Sequence, residues 1–141
     1  MNIYPNYKIA LNLFEKQIQC IIDDDKNTQM KLYDDNLLYE FPFANDRPKI
    51  INGKESFRSI MEPLWEDARK KGVKVVSCKH EFHATDEEDL FVAIFILDAI
   101  ASGIKISLPF VQLIRIKNNL IIEVREFANP SGRNEFSNKK S

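Results

Sequence analysis

Glycine, proline and cysteine are all scarce: four, six and two residues in a chain of 141. Without a repeat or a Gly/Pro-rich period, collagen-like, low-complexity and solenoid architectures are excluded. Two cysteines, Cys20 and Cys78, cannot make a disulfide framework or a CxxC metal pair. They read as reduced thiols acting as small buried hydrophobes in a cytoplasmic protein. An excess of one charge is also missing. Twenty Lys and Arg against twenty-one Asp and Glu leave a net charge of −1, so no broad field exists to clamp nucleic acid. The longest apolar stretch, Leu90 to Ala101, is interrupted by Asp98 and is too short for a membrane span. Residues 1–7 are polar, contain Pro5, and lack the basic start and apolar run of a signal peptide. Neither nucleic acid nor a membrane is expected as a partner.

What is present is enough for one packed core: 44% hydrophobic residues in 16.4 kDa. The domain is placed at residues 1–130, with 131–141 as a polar tail. From Tyr7 to Ile22, apolar residues recur at helical spacing (Ile9, Leu13, Phe14, Ile18, Ile21 or Ile22). Asn6 is the expected N-cap, and Asp23-Asp24-Asp25 crowds negative charge where the helix dipole opposes it, ending the helix. Thr28 to Tyr33 reads as a short second helix capped by Asn27 or Thr28, Asp34-Asp35-Asn36 as a turn, and Leu37 to Phe43 as a strand that Pro42 demotes to an edge or bulge. Ala44 to Asn52 reads as a loop. Gly53 to Lys71 reads as a helix with the stripe Phe57, Ile60, Met61, Leu64, Trp65 and Ala68, kinked or restarted at Pro63 and closed by Gly72. Four strands follow, Val73–Thr85, Leu90–Ala101, Ile104–Lys117 and Leu120–Phe127, separated by short turns that imply antiparallel hairpins. Pro109 suggests a bulge or an unpaired edge in the third of these. Helices ahead of an antiparallel meander make an α+β fold: a curved, cone-shaped sheet with the N-terminal helices over its concave face and a small cavity between them.

Strand alternation sorts the side chains into faces. In the last strand Leu120, Ile122, Val124 and Glu126 point one way, and Ile121, Glu123, Arg125 and Phe127 the other. Glu126 is the one carboxylate on an apolar row. Burial raises a carboxyl pKa toward the range a proton-abstracting base needs, whereas an ion pair with Arg125, Arg115 or Arg133 is the ordinary alternative. Gln112 is the only polar member of the row Ile104, Ile106, Leu108, Phe110, Gln112, Ile114 and Ile116; its amide meets either a structural neighbour or a ligand's oxygen. Asp98 shares a face with Ile94 and Ile96 and either looks into the cavity or marks the exposed end of its strand. His80 and His83 lie on opposite faces with no third ligand in reach, so no metal site is expected. They are surface or satisfied histidines, or one carries a proton. Tyr39, Phe41, Phe43 and Trp65 fit an aromatic pocket as well as they fit a core. Phe91, Phe95, Leu97, Val111 and Leu113 are read as the face opposite the cavity, an apolar outer surface that implies a homodimer.

The segments LYDDNLLYEFPF, INGKESFRSIM and LIIEVREFANP together resemble the nuclear transport factor 2-like cone fold. Within it the SnoaL-like group and its phenazine-biosynthesis A/B-type relatives are most similar. The resemblance spans residues 8–130. Its most specific piece is Arg125-Glu126-Phe127-Ala128-Asn129-Pro130, supported by Asn52-Gly53-Lys54. It implies a curved sheet over a pocket, a homodimer through the convex face, and isomerisation, cyclisation, condensation or hydration of small apolar substrates without metal or cofactor. The acid/base carboxylate of the phenazine A/B type matches Glu126, but its helical histidine falls at Ile60, which cannot transfer a proton. The base of the ketosteroid isomerase branch falls at Phe41, beside Glu40 on the opposite face, and its oxyanion-hole acid falls at Gln112. These departures argue against steroid isomerase chemistry. The reading is a SnoaL-like protein that binds a small apolar or ring-bearing molecule. Glu126 shuttles a proton, Gln112 holds a carbonyl or enolate oxygen, and Tyr39, Phe41, Ile60, Leu64, Trp65, Asp98, Phe110 and Val124 line the site. The alternative is a non-catalytic small-ligand-binding or dimeric interaction module; a cavity filled by the chain's own side chains would make it purely structural.

Overall fold

In the computed structural model, which describes residues 5–129, the apolar stripe of the first segment becomes helix α1 (Tyr7–Asp23), burying Ala10, Leu13, Phe14, Gln17 and Ile18 against the sheet. It ends where Asp24 turns into the left-handed region at φ 53° and bonds back to Cys20 and Ile21. Asn6 stands at the N-cap, but its side chain makes no capping bond and instead donates to the Glu88 carbonyl. The second helix, α2 (Lys26–Met30), begins earlier than its pattern implies, because the Asp25 carboxylate, not Asn27 or Thr28, caps it by accepting from the Thr28 N–H at 3.1 Å.

Tyr33 belongs to strand β1 (Tyr33–Glu40), not to α2. The turn chemistry read at Asp34–Asn36 is real, since the Asn36 N–H donates to the Asp34 carboxylate at 2.8 Å. It occurs inside the strand, as a bulge. Between Tyr33 and Leu38 the partner strand advances only from Ile121 to Glu123. The supposed loop contains a short strand, β2 (Ile50–Asn52), paired antiparallel with β1. Gly53, at φ 96°, turns the chain into α3 (Lys54–Lys70) while its N–H holds the Leu37 carbonyl at 2.7 Å. One helix runs through Pro63 without restarting.

Strands β3 (Val73–Ala84), β4 (Leu90–Ala101), β5 (Ile104–Lys117) and β6 (Leu120–Ala128) form the meander. The six-stranded sheet has the order β2-β1-β6-β5-β4-β3 and is antiparallel except for the β1–β6 pair. It is curved and unclosed, and the helices cover one face: an α+β cone. Both tight turns, Ser102-Gly103 and Asn118-Asn119, have two residues at positive φ, the geometry whose twist matches the flanking strands. Pro109 faces Ile96 in unbroken register with β4, while β6 reaches only as far as Phe110. Proline therefore sits at an unpaired flank and makes no bulge.

Two face assignments are corrected. In β4 the inward residues are Phe91, Ala93, Phe95 and Leu97: each is buried, and Phe95 stacks on Phe110 across the pair at 5.2 Å. The outer face instead carries Val92, Ile94 and Ile96 beside Leu113, Val111 and Pro109. In β6 the register slips between Glu123 and Ile121, a bulge at Ile122 that turns Ile121 into the core in place of Ile122. The polar tail 131–141, Pro130 and Arg133 lie outside the described residues.

Candidate functional site

A cavity of about 1080 Å³ opens between the sheet and the three helices. Its walls are mostly apolar: Phe95, Leu97, Leu108 and Phe110 from the sheet, Phe57, Met61, Leu64 and Trp65 from α3, and Ile21 from α1. Tyr39 enters from β1 and Phe41 from just past its end.

Against this apolar wall stands one polar cluster. Gln112 and Glu126 are directly opposite in the β5–β6 register, so their side chains share the inner face. The Gln112 Nε2 donates to Glu126 Oε1 at 2.7 Å, and the Tyr39 hydroxyl donates to the same oxygen at 2.9 Å. Gln112 Nε2 also donates to the Tyr39 hydroxyl at 3.3 Å. The cluster continues inward. Gln17 Nε2 donates to Gln112 Oε1 at 3.0 Å, Tyr33 donates to Gln17 Oε1 at 2.6 Å, and Gln29 Nε2 donates to the Tyr33 hydroxyl at 3.1 Å. Gln17, Gln29 and Gln112 are all buried. Burial pushes the Tyr39 hydroxyl well above its usual pKa, and the charge of Glu126 pushes it the same way. Tyr33 is raised as well, by burial first. Both are neutral donors at physiological pH.

Two of the arginines that might have neutralised Glu126 are committed elsewhere. Arg125 pairs with Glu40 at 3.0 Å and Glu123 at 3.7 Å, and Arg115 pairs with Asp89 at 2.7 Å and Glu123 at 3.1 Å. Among the described residues no basic side chain makes a salt bridge to Glu126. Two cations of the lining instead lie over aromatic rings. Lys26 lies 4.5 Å over the Trp65 ring, its pKa lowered by burial, and Arg47 lies 4.8 Å over Phe41.

The cavity brings together Glu126, Gln112, Tyr39, Phe41, Leu64, Trp65 and Phe110, all read from the sequence as site residues. It does not include three others. Val124 is fully buried in the core, and Ile60 packs against that core from α3. Asp98 lies on the outer face, where its carboxylate accepts from Ser77 at 3.2 Å and Ser107 at 3.0 Å. Phe43 is exposed and packs edge-to-face on Phe127, away from the lining. His80 sits edge-on to Phe14 at 5.3 Å. Among the described residues no group of three or more His, Cys, Asp or Glu is placed to hold a metal.

No family model and no curated protein matches the sequence. Solved structures do. A Bacillus subtilis protein described as a candidate isomerase superposes with a TM-score of 0.79 at 22% identity, covering 96% of this chain and 94% of that one. A candidate SnoaL-like polyketide cyclase of Mesorhizobium loti gives 0.55 at 20% identity, covering 83% and 97%. The fold is SnoaL-like. A Mycobacterium tuberculosis protein crystallised with estradiol-17β-hemisuccinate gives 0.67 at 19% identity, covering 87% and 95%.

Three members of the cavity's polar cluster escape the sequence reading. Gln17 is the most legible of them, because it falls on the buried stripe Ala10, Leu13, Phe14, Gln17, Ile18 at the spacing of an apolar face. A lone amide on such a stripe signals an internal hydrogen bond. Gln29 and Tyr33 carry no comparable signal; only the fold brings them to Gln17.

Proposed function

We propose that this chain binds a small, largely apolar, ring-bearing molecule in the cone and acts on it as a cofactor-independent isomerase or cyclase, with Glu126 as the acid/base. One observation carries the reading. A carboxylate stands on the wall of an apolar cavity, fixed through one oxygen by two neutral donors and making no salt bridge among the described residues. The second oxygen, Oε2, is left to take a proton from a carbon acid beside a carbonyl and to return it at another carbon, a sequence that balances without a co-reactant. Gln112 has a different part from the one its position alone suggests. Its two N–H groups serve Glu126 and Tyr39, so it aims the base rather than holding the substrate's oxygen. The proposed likeness to phenazine-biosynthesis A/B-type proteins rests on the sequence Arg125–Pro130, in which their acid/base carboxylate matches Glu126. With Ile60 in the place of their histidine, the reading stays at general acid/base chemistry. Structural relatives described as a candidate isomerase and as a candidate cyclase support it as a class.

The test begins with a thermal-shift screen of aromatic and polycyclic carbonyl compounds; a ligand at 100 times its Kd adds about 2.7 kcal/mol to apparent stability. On a compound that is turned over, Glu126→Gln should lower kcat by about 100-fold or more. An unchanged rate removes the role assigned to Glu126. The non-catalytic reading draws on the single carboxylate among the inner polar groups, and it is selected if ligands bind and none is converted.

The chain is also proposed to pair through its outer sheet face. Ile94 and Ile96 are 43% and 40% exposed there, flanked by Val92, Val111 and Leu113, more apolar surface than a water-facing sheet carries. Sedimentation at micromolar concentration should give twice 16.4 kDa; a monomer mass refutes the pairing.

A further inference from the structure

The hydrogen-bond chain behind Glu126 has a direction, and the carboxylate sets it. Glu126 Oε1 accepts from both Gln112 and Tyr39, so Gln112 turns its NH2 to Glu126 and its Oε1 to Gln17. Gln17 must then offer its own NH2 to Gln112, which leaves its Oε1 for Tyr33. The single proton of Tyr33 is spent on Gln17, so Gln29 can meet Tyr33 only with its NH2. Each link leaves the next one orientation. The last atom in the series, Gln29 Oε1, is turned off the chain. Gln29 lines the cavity and is 5% exposed, and its Oε1 is buried with no partner among the described residues. A buried acceptor without a donor is costly and rare.

We propose that Gln29 Oε1 is a specificity anchor: the molecule that fills the cavity presents a hydrogen-bond donor, a hydroxyl or N–H, to this oxygen while another part of it reaches Glu126. The inference rests on the reading of the cavity as a small-molecule site and narrows its ligands to hydroxylated, otherwise apolar polycycles. A carbonyl at the same place would set acceptor against acceptor. Flipping the Gln29 amide to suit it would point Oε1 at the Tyr33 oxygen, whose proton already belongs to Gln17. The accepting oxygen of Glu126 thus enforces, through four side chains, which polar group is accepted at the other end of the series.

Estradiol has a donor at each end; estrone and estradiol 3-methyl ether each lack one. Titration calorimetry of all three on the whole chain tests the anchor. The wild type should bind estradiol about tenfold more tightly than the analogue lacking the donor at the Gln29 end, the value of one hydrogen bond. Gln29→Met should bring the two within about twofold. In the wild type, where folding is not in question, the Gln29 side-chain carbonyl carbon resonance should move when estradiol is added. Equal affinities in the wild type, a preference that survives Gln29→Met, or an unmoved resonance overturns the anchor while leaving the cavity a ligand site. If none of the three steroids binds the wild type, the anchor fails together with the ligand reading for this class of molecule.

Discussion

Replacing Gln17 by leucine tests the buried chain at its centre. The two side chains are close in size, so packing changes little. The hydrogen bonds do not survive. Gln112 Oε1 loses its donor at 3.0 Å and the Tyr33 hydroxyl loses its acceptor at 2.6 Å. Both partners are buried residues. Each orphaned group costs about 1–3 kcal/mol, so Gln17→Leu should cost about 2–6 kcal/mol, a large share of the roughly 5–15 kcal/mol that holds an ordinary domain together. Urea unfolding followed by far-UV circular dichroism gives the difference directly, provided the slope is unchanged. Adding Tyr33→Phe removes one of the two orphans, so the double variant should lose less than the sum of the single losses. A loss below about 0.5 kcal/mol, the size of an ordinary surface substitution, would refute the idea that the amides are locked to one another and, with it, the orientation inferred for Gln29.

Three further outcomes follow from named contacts. Tyr33 and Tyr39 have hydroxyls whose pKa burial raises. Their contribution to stability is therefore complete below the ordinary tyrosine pKa of about 10 and is lost as pH rises through the raised folded values. Absorbance at 295 nm should show two tyrosines resisting alkali until the chain unfolds, and Tyr39→Phe should leave one. Ser102 occupies a left-handed position at φ 52° before Gly103, where Asn-Gly suits the turn better; Ser102→Asn should stabilise by about 0.5 kcal/mol in the same urea assay. Asp24 has its pKa lowered first by the hydrogen bonds from Arg69, with Nε at 2.6 Å. That contribution is present above the ordinary carboxylate range and fades as pH falls through the lowered value, so Arg69→Gln should be less stable than the wild type at neutral pH and equal to it in acid.

The elements were legible wherever one face of the pattern was polar. Gln112 stood out as the one amide on an apolar row and Glu126 as the one carboxylate, and the fold puts them 2.7 Å apart. Strand β4 was not legible in this way. Leu90–Leu97 is apolar on both faces, so alternation fixes no parity, and Phe95 and Leu97 were assigned outward when they line the cavity. Asp98 was the informative marker, since its parity is that of the outer face. In β6 the bulge at Ile122 shifts the phase between two isoleucines of equal hydrophobicity, a change composition cannot register. The parallel pairing of β1 with β6 and the short strand β2 depend on contacts between separate elements, and so does the meeting of Gln17 with Tyr33 and with Gln112. Local periodicity carries no information about them.

The parallel β1–β6 pair also bears on how the molecule is made. Tyr39 and Glu126 are separated by 87 positions, and every hairpin of the meander lies between them. Closing so long a loop comes late and slows folding compared with a chain of local contacts. On the ribosome, the first half of the nascent polypeptide must wait with β1 unpaired on that side until β6 emerges. The pocket is thus the last part of the protein to come into existence, and a chain stalled before β6 has neither its base nor its final shape.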